Sequence, residues 1–186
     1  MCLLFEFCEH PVFAFCAGRN PRDEVKWTMK ELTIEELTTE AMQLLPLGVD
    51  ELYMVLGCQL LASEKPKRVA GIISYLSAAR KARQARNLYA TLPSKPDRSD
   101  WEEGIELICN ELRGDGVRFL DEVKPELQKG VCNEDIINLA DDINGSSMQI
   151  LVMIVGAILK MPAQFESISA TLAAILCKSG LRDFCR

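Results

Sequence analysis

The side chains that could do chemistry are few, and the scarcest is histidine, of which the chain has one, His10. A Ser–His–Asp or Cys–His mechanism depends on histidine as the general base, and di-iron bundles need two Glu-x-x-His motifs. This histidine stands in an N-terminal segment whose composition differs from that of the rest of the chain. We therefore predict a non-catalytic protein, without catalytic residues.

Cysteines near the histidine complete the one candidate metal site of the sequence, which consists of Cys2, Cys8, His10 and Cys16. Structural zinc sites usually present their ligands as two closely spaced pairs. The four residues do not form such pairs, and the chain has no C-x-x-C motif. A phosphate-binding loop of the GxxxxGK[ST] type is also absent from the sequence. We expect no metal and no cofactor.

The other cysteines fall mostly within apolar helical patterns. We interpret Cys58, Cys109 and Cys177 as small buried hydrophobic residues. The N-terminal apolar stretch is interrupted by Glu6 and Glu9, and it lacks the basic start of a secretory signal. These observations favour a reducing compartment and a cytoplasmic location.

Carboxylates are numerous between residues 100 and 142. Acid–base catalysis by paired carboxylates needs a concave and partly desolvated site. Here the carboxylates alternate with apolar stripes at helical spacing, which is typical of a solvated helix face. We interpret them as surface residues.

Basic side chains are concentrated in residues 64–98, which carry a net charge of +7 while the rest of the chain carries −13. The candidate partner-binding residues are Arg80, Arg83, Arg86, Lys67 and Arg68. One hypothesis is that they contact nucleic acid or an acidic partner. No aromatic residues interleave with the arginines, however, and the whole chain is acidic. Pairing with acidic helices of the same chain, or across a homodimer, is the interpretation that we favour over nucleic-acid binding.

The elements that must position these residues are organised around Ile143–Cys177, 35 residues that contain only two charges, Lys160 and Glu166. The pattern predicts two apolar helices joined near Pro162. The first arm is apolar on every side, which predicts burial, whereas the second predicts a helix packed on one side. Each arm is short for a membrane span.

A nearly uncharged pair of helices surrounded by charged amphipathic ones resembles, in layout only, the pore-forming domains of colicins. Membrane contact through residues 143–177 is therefore the alternative to a buried hairpin.

The rest of the chain also has helical spacing, and we predict an all-α fold, a compact bundle of about seven or eight helices. Thr33 and Glu36 form a capping box. We expect a helix beginning near residue 99 to break at residues 114–116, and Pro125 to end or kink the next one. A helix over residues 66–92 carries a seam of small residues at heptad spacing that would suit a homodimer: Ala78, Ala82 and Ala85.

Residues 1–28 are predicted to be an N-terminal extension of uncertain status, and residues 29–186 a single helical domain. The segment either precedes a natural start at Met29 or packs its aromatic residues over the bundle. As function we predict a non-catalytic helical interaction or adaptor protein with a protein partner or a homodimer. The alternatives are membrane activity through the hairpin and binding of nucleic acid or an acidic partner through residues 64–98.

Overall fold

The computed structural model describes residues 32–72, 74–75, 78, 100–141, 143–160 and 166–186. Over these ranges the chain forms helices and no strand, which confirms the all-α class. Seven helices have defined bounds, and residues 66–72 are also helical: α1 (Ile34–Leu44), α2 (Val49–Glu64), α3 (Asp100–Val131), α4 (Glu134–Asp141), α5 (Gly145–Leu159), α6 (Glu166–Ser179) and α7 (Leu181–Phe184).

Side-chain caps begin several of these helices, and one of them is the capping box that the sequence predicts. The amide of Glu36 donates to the Thr33 hydroxyl, and the Glu36 carboxylate accepts from the Thr33 amide, so the predicted capping box is confirmed. Asn133 caps α4 by accepting from the amide of Ile136. Asn144 begins α5 by accepting from two amides of the first turn. Because these bonds satisfy otherwise unpaired donors, local sequence is enough to place these helix starts.

The predicted break at residues 114–116 is wrong, because α3 runs without interruption over 32 residues and includes Pro125. The glycines serve helix packing instead. A Cβ atom on Gly116 would overlap the carbonyl oxygen of Tyr53, and one on Gly57 would overlap that of Leu112. The α2 and α3 backbones therefore touch at this crossing. That packing offsets the roughly 1 kcal/mol by which glycine weakens a helix relative to alanine.

The two arms of the apolar hairpin have the opposite environments to those that their sequences predict, which were burial for the first arm and one-sided packing for the second. In α6 every residue from Ile168 to Leu176 is buried, and the helix packs against α1, α2, α5 and α7. Small residues such as Ala170 and Ala173 allow neighbours to approach from all sides. The more apolar α5 instead lies at the surface with one side exposed. The hydrophobicity of the two arms therefore does not predict which arm lies at the centre of the bundle.

Cysteines fall into two groups. Cys58 and Cys109 are buried thiols that form no disulfide, as predicted, and Cys177 is a half-buried thiol whose pKa burial raises to about 11. Cys132, which follows α3, forms a disulfide with Cys185, which follows α7. This bond ties residues 185–186 to the end of α3, and it corrects the expectation from the sequence that the chain lies in a reducing compartment without disulfides.

Several predictions concern residues outside the described ranges. They include the N-terminal segment with its four candidate zinc ligands, the end of the helix predicted over 66–92, and most of the alanine seam. Of the seam, only Ala78 is described, as an exposed helical residue. The domain boundary at residue 29 also stays a prediction.

Candidate interaction surface

α5 exposes one side to solvent, and that side is apolar at its centre. Ile150 and Met153 have relative exposures of 42 % and 54 %, and Ala157 is also exposed. Ser146 precedes them and Lys160 follows them, both exposed. These five residues, which we call the α5 stripe, recur at spacings of four, three, four and three. At 3.6 residues per turn they cover an arc of roughly 80° on the helix surface. Such a stripe has the spacing of a coiled-coil seam.

No residue from Gly145 to Leu159 is charged. A helix at the surface of a globular protein normally carries charged or polar residues on its solvent side. Burying the exposed half of a side chain such as Met153 would contribute roughly 1 kcal/mol. A contiguous exposed apolar patch of this kind marks a contact surface more often than scattered apolar residues do.

A shallow groove of about 350 Å³ borders the stripe. Its walls come from the entrance and first turns of α1 and from the second half of α5, and they include Leu32, Ile34, Leu37, Met153, Gly156 and Ala157. Ser169 of α6 also lines the groove, and a Cβ atom built on Gly156 would meet its side chain at 3.8 Å, an ordinary contact distance. The volume of the groove is sufficient for one apolar side chain from outside.

A buried polar network lies one turn along α1 from the groove residue Leu37. Glu40 is only 4 % exposed. Its Oε1 accepts from the Gln59 amide nitrogen at 3.3 Å, and the Thr171 hydroxyl donates to the Gln59 oxygen at 2.8 Å. The network thus joins α1, α2 and α6. The other carboxyl oxygen of Glu40, Oε2, is buried without a hydrogen-bond partner.

Burial sets the protonation of this carboxyl. Removal from water raises the pKa of Glu40 from 4.5 to about 7, although a hydrogen bond with the Ser167 side chain lowers it in part. An ionised carboxylate with one oxygen unpaired is costly in an apolar interior, whereas the neutral acid is much less so. The polar partners, Gln59 and Ser167, are neutral side chains. We assign Glu40 to the packing of the three helices and not to the surface site.

The basic residues singled out in the sequence are only partly described. Lys67 and Arg68 are exposed on the helical residues 66–72, and Arg68 forms an ion pair with Glu111 of α3. This contact is of the intramolecular kind that we favoured. Arg80, Arg83 and Arg86 lie outside the described residues. The structure therefore places only Lys67 and Arg68 of the five candidate residues, and a site that includes all five stays a prediction.

In the part of the chain that the structure describes, no group of three histidine, cysteine or acidic side chains has a geometry that could hold a metal ion. Among the described helices, none is both long and apolar enough to cross a bilayer.

Comparison of the chain with protein-family models, with curated proteins and with solved structures finds no match. The site must therefore be interpreted from its own chemistry. Sequence reasoning missed the α5 stripe because apolar residues surround this helix on all sides, and burial is the ordinary outcome of such a pattern. The available signal was the two polar residues, Ser146 and Lys160, which share one side of the helix at a separation of two heptads.

Proposed function

We propose that this protein is a non-catalytic helical interaction module that binds the apolar side of a partner helix. The observation that carries the proposal is the α5 stripe, an exposed apolar surface on a helix without charged residues. Recognition of this kind uses apolar anchors at spacings of three and four residues that enter a groove on the receiving protein.

The geometry of the surface suits such a partner. Gly156 and Ala157 have little side-chain volume, so a second helix could approach the α5 backbone closely. The groove beside them could receive one larger side chain. Ser146 and Lys160 lie at the two ends of the stripe, where polar contacts define the rim of an interface. Burial at the centre would supply affinity, and the polar ends would set the register of the two helices.

A display selection tests this function directly. A library of helical peptides with apolar residues at heptad spacing is selected for binding to the full chain. We expect binders that lose at least about tenfold in affinity, or about 1.4 kcal/mol, when Met153→Glu is introduced. Leu107→Glu is the matched control, because Leu107 is 72 % exposed on α3 and should leave binding unchanged. If the selected peptides bind both variants and the wild type equally, the proposed surface is not the binding site.

Membrane activity of the whole hairpin is the second candidate, and the uncharged exposed side of α5 favours it. Against it, α6 would have to leave the core, where Leu172, Ile175 and Leu176 are fully buried. The apolar side chains of α1 and α2 that pack against α6 would then meet water, at a cost of roughly 1.5–3 kcal/mol for each one fully exposed. Flotation with liposomes in high salt separates the two functions. If the wild type floats with the liposomes, and folded Met153→Glu and Ile154→Asp variants do not, membrane binding would replace the peptide-binding proposal.

The cytoplasmic location expected from the sequence stays a prediction, and the disulfide between Cys132 and Cys185 argues against it. Disulfides persist in oxidising compartments and are rare in the cytosol. Alkylation of the protein in intact cells, followed by mass spectrometry of the peptides that contain these cysteines, would establish whether the bond exists in the native compartment.

A further inference from the structure

We propose that the partner helix is α5 of a second copy of this chain, paired antiparallel about a two-fold axis that passes beside Met153. The inference rests on the proposed function because it uses the same surface, and it adds the identity of the partner. This surface is distinct from the predicted alanine seam.

The α5 stripe has polar ends at equal distances from its centre. Ser146 and Lys160 each stand seven positions from Met153, and Ile150 and Ala157 stand three and four positions from it. In an antiparallel pair centred on Met153, each Ile150 lies opposite the small residues Gly156 and Ala157 of the other copy, and each Ser146 faces the other Lys160. A two-fold interface requires a patch that is complementary to itself in this way.

Side-chain size supports the same pairing. A large side chain, Ile150, lies opposite a small one, Ala157, at both ends of the contact. The groove beside Gly156 then provides space for Met153, the one large side chain that meets its own equivalent on the axis. Methionine is unbranched and adapts to irregular gaps, so it suits a position where two identical side chains meet.

Charge also favours a second copy over many other partners. Self-association through a charged helix face would oppose like charges, but α5 has no charged residue from Gly145 to Leu159. The antiparallel arrangement also places the two Lys160 residues, each at the C-terminal end of α5, at opposite ends of the contact. A parallel pair would instead bring the two lysines together.

The expected strength follows from the size of the contact. α5 has 15 residues and is roughly 22 Å long. Specific interfaces generally bury more than about 1,000 Å² in total, and one pair of helices of this length lies near the lower end of that range. We expect a concentration-dependent dimer and not an obligate one.

Cysteine cross-linking in the full chain tests the axis. Met153→Cys places two thiols at the two-fold axis, whereas Ile150→Cys, one turn away on the same stripe, places each thiol opposite Ala157 of the other copy. Under mild oxidation with copper phenanthroline we expect the 153–153 disulfide to form at least tenfold faster than the 150–150 disulfide. A mixture of Ile150→Cys and Ala157→Cys chains should cross-link efficiently. Mass spectrometry of the linked peptides separates these products from those of the native cysteines.

Sedimentation equilibrium of the wild type, of Met153→Glu and of Leu107→Glu provides the second measurement. We expect the wild type and the Leu107 variant to dimerise, and Met153→Glu to weaken the dimer at least tenfold because two carboxylates would meet at the axis. A monomeric wild type at high concentration, or equal cross-linking rates at positions 150 and 153, overturns the dimer. Peptides that still bind through Met153 in that case would leave the proposed function standing with another partner.

Discussion

Glu40 gives the sharpest test of the tertiary structure, because a buried carboxyl makes stability depend on pH in a defined direction. Its side chain lies between α1, α2 and α6, with Oε2 unpartnered and Oε1 bonded to Gln59. Replacing Glu40 by glutamine removes the ionisation and keeps the shape and the acceptor for Gln59. The perturbation therefore isolates the charge.

The direction of the pH dependence follows from the coupling between protonation of Glu40 and folding. Burial raises the pKa of Glu40 from 4.5 to about 7, so the folded protein holds a proton that the unfolded chain has released between these pH values. Folding is then favoured at low pH, and the free energy of unfolding falls by up to 1.36 kcal/mol for each pH unit as the pH rises from 4.5 to about 7. The ionisation of this one group lowers the free energy of unfolding by about 3 kcal/mol in total, and the loss is complete at pH values above the pKa of Glu40 in the folded protein.

Urea denaturation followed by circular dichroism at pH 5, 6, 7 and 8 measures this loss. The difference in unfolding free energy between Glu40→Gln and the wild type should increase by about 2–3 kcal/mol from pH 5 to pH 8. Glu35→Gln is the control, since Glu35 is an exposed carboxylate on the same helix, and its difference from the wild type should stay nearly constant. A Glu40→Gln difference that is equally flat would refute the burial of this carboxyl in a water-free site.

Three further predictions address the packing of the helices and their covalent link. Gly57→Ala should lower the free energy of unfolding by about 1–3 kcal/mol because the added methyl group would overlap α3, although alanine is the better helix former. Gly114→Ala, where the added methyl group would meet no atom, should raise the free energy of unfolding by about 0.5–1 kcal/mol, and chemical denaturation of both variants measures the difference. Reduction of the bond between Cys132 and Cys185, which are 53 residues apart, should cost up to about 4 kcal/mol, and equal urea midpoints with and without reductant would contradict this. Leu172→Ala should cost about 2–5 kcal/mol if α6 is the central helix, and thermal unfolding that is almost unchanged would exclude that position.

Local patterns in the sequence were sufficient for the fold class and for several helix ends. The start of α1 depends on Thr33 and Glu36, and the start of α5 depends on Asn144, each bonding to amides within three residues. A cap acts over one turn, so its partners are visible in the sequence itself. Arg68 pairs with Glu111 of α3, whereas the pairing expected for the other basic residues of 64–98 stays a prediction.

The candidate site could not be predicted in the same way. By composition α5 is the more apolar arm, but α6 is the central helix of the bundle. The alanine, serine and threonine residues of α6 let neighbouring helices approach it from every side. Which side of α5 stays exposed depends on where α1 and α6 pack against it. That is a property of the assembled bundle and not of the helix.

Sequence alone thus determined what each segment could do within one or two turns: begin a helix, continue it, or present apolar residues at a given period. Tertiary structure decided everything that depends on residues far apart in the chain. It made Gly116 a packing residue instead of a helix breaker, joined Cys132 to Cys185, and raised the pKa of Glu40 by surrounding it with three helices. The physical reason is that backbone hydrogen bonds and caps act locally, whereas burial depends on which surfaces meet.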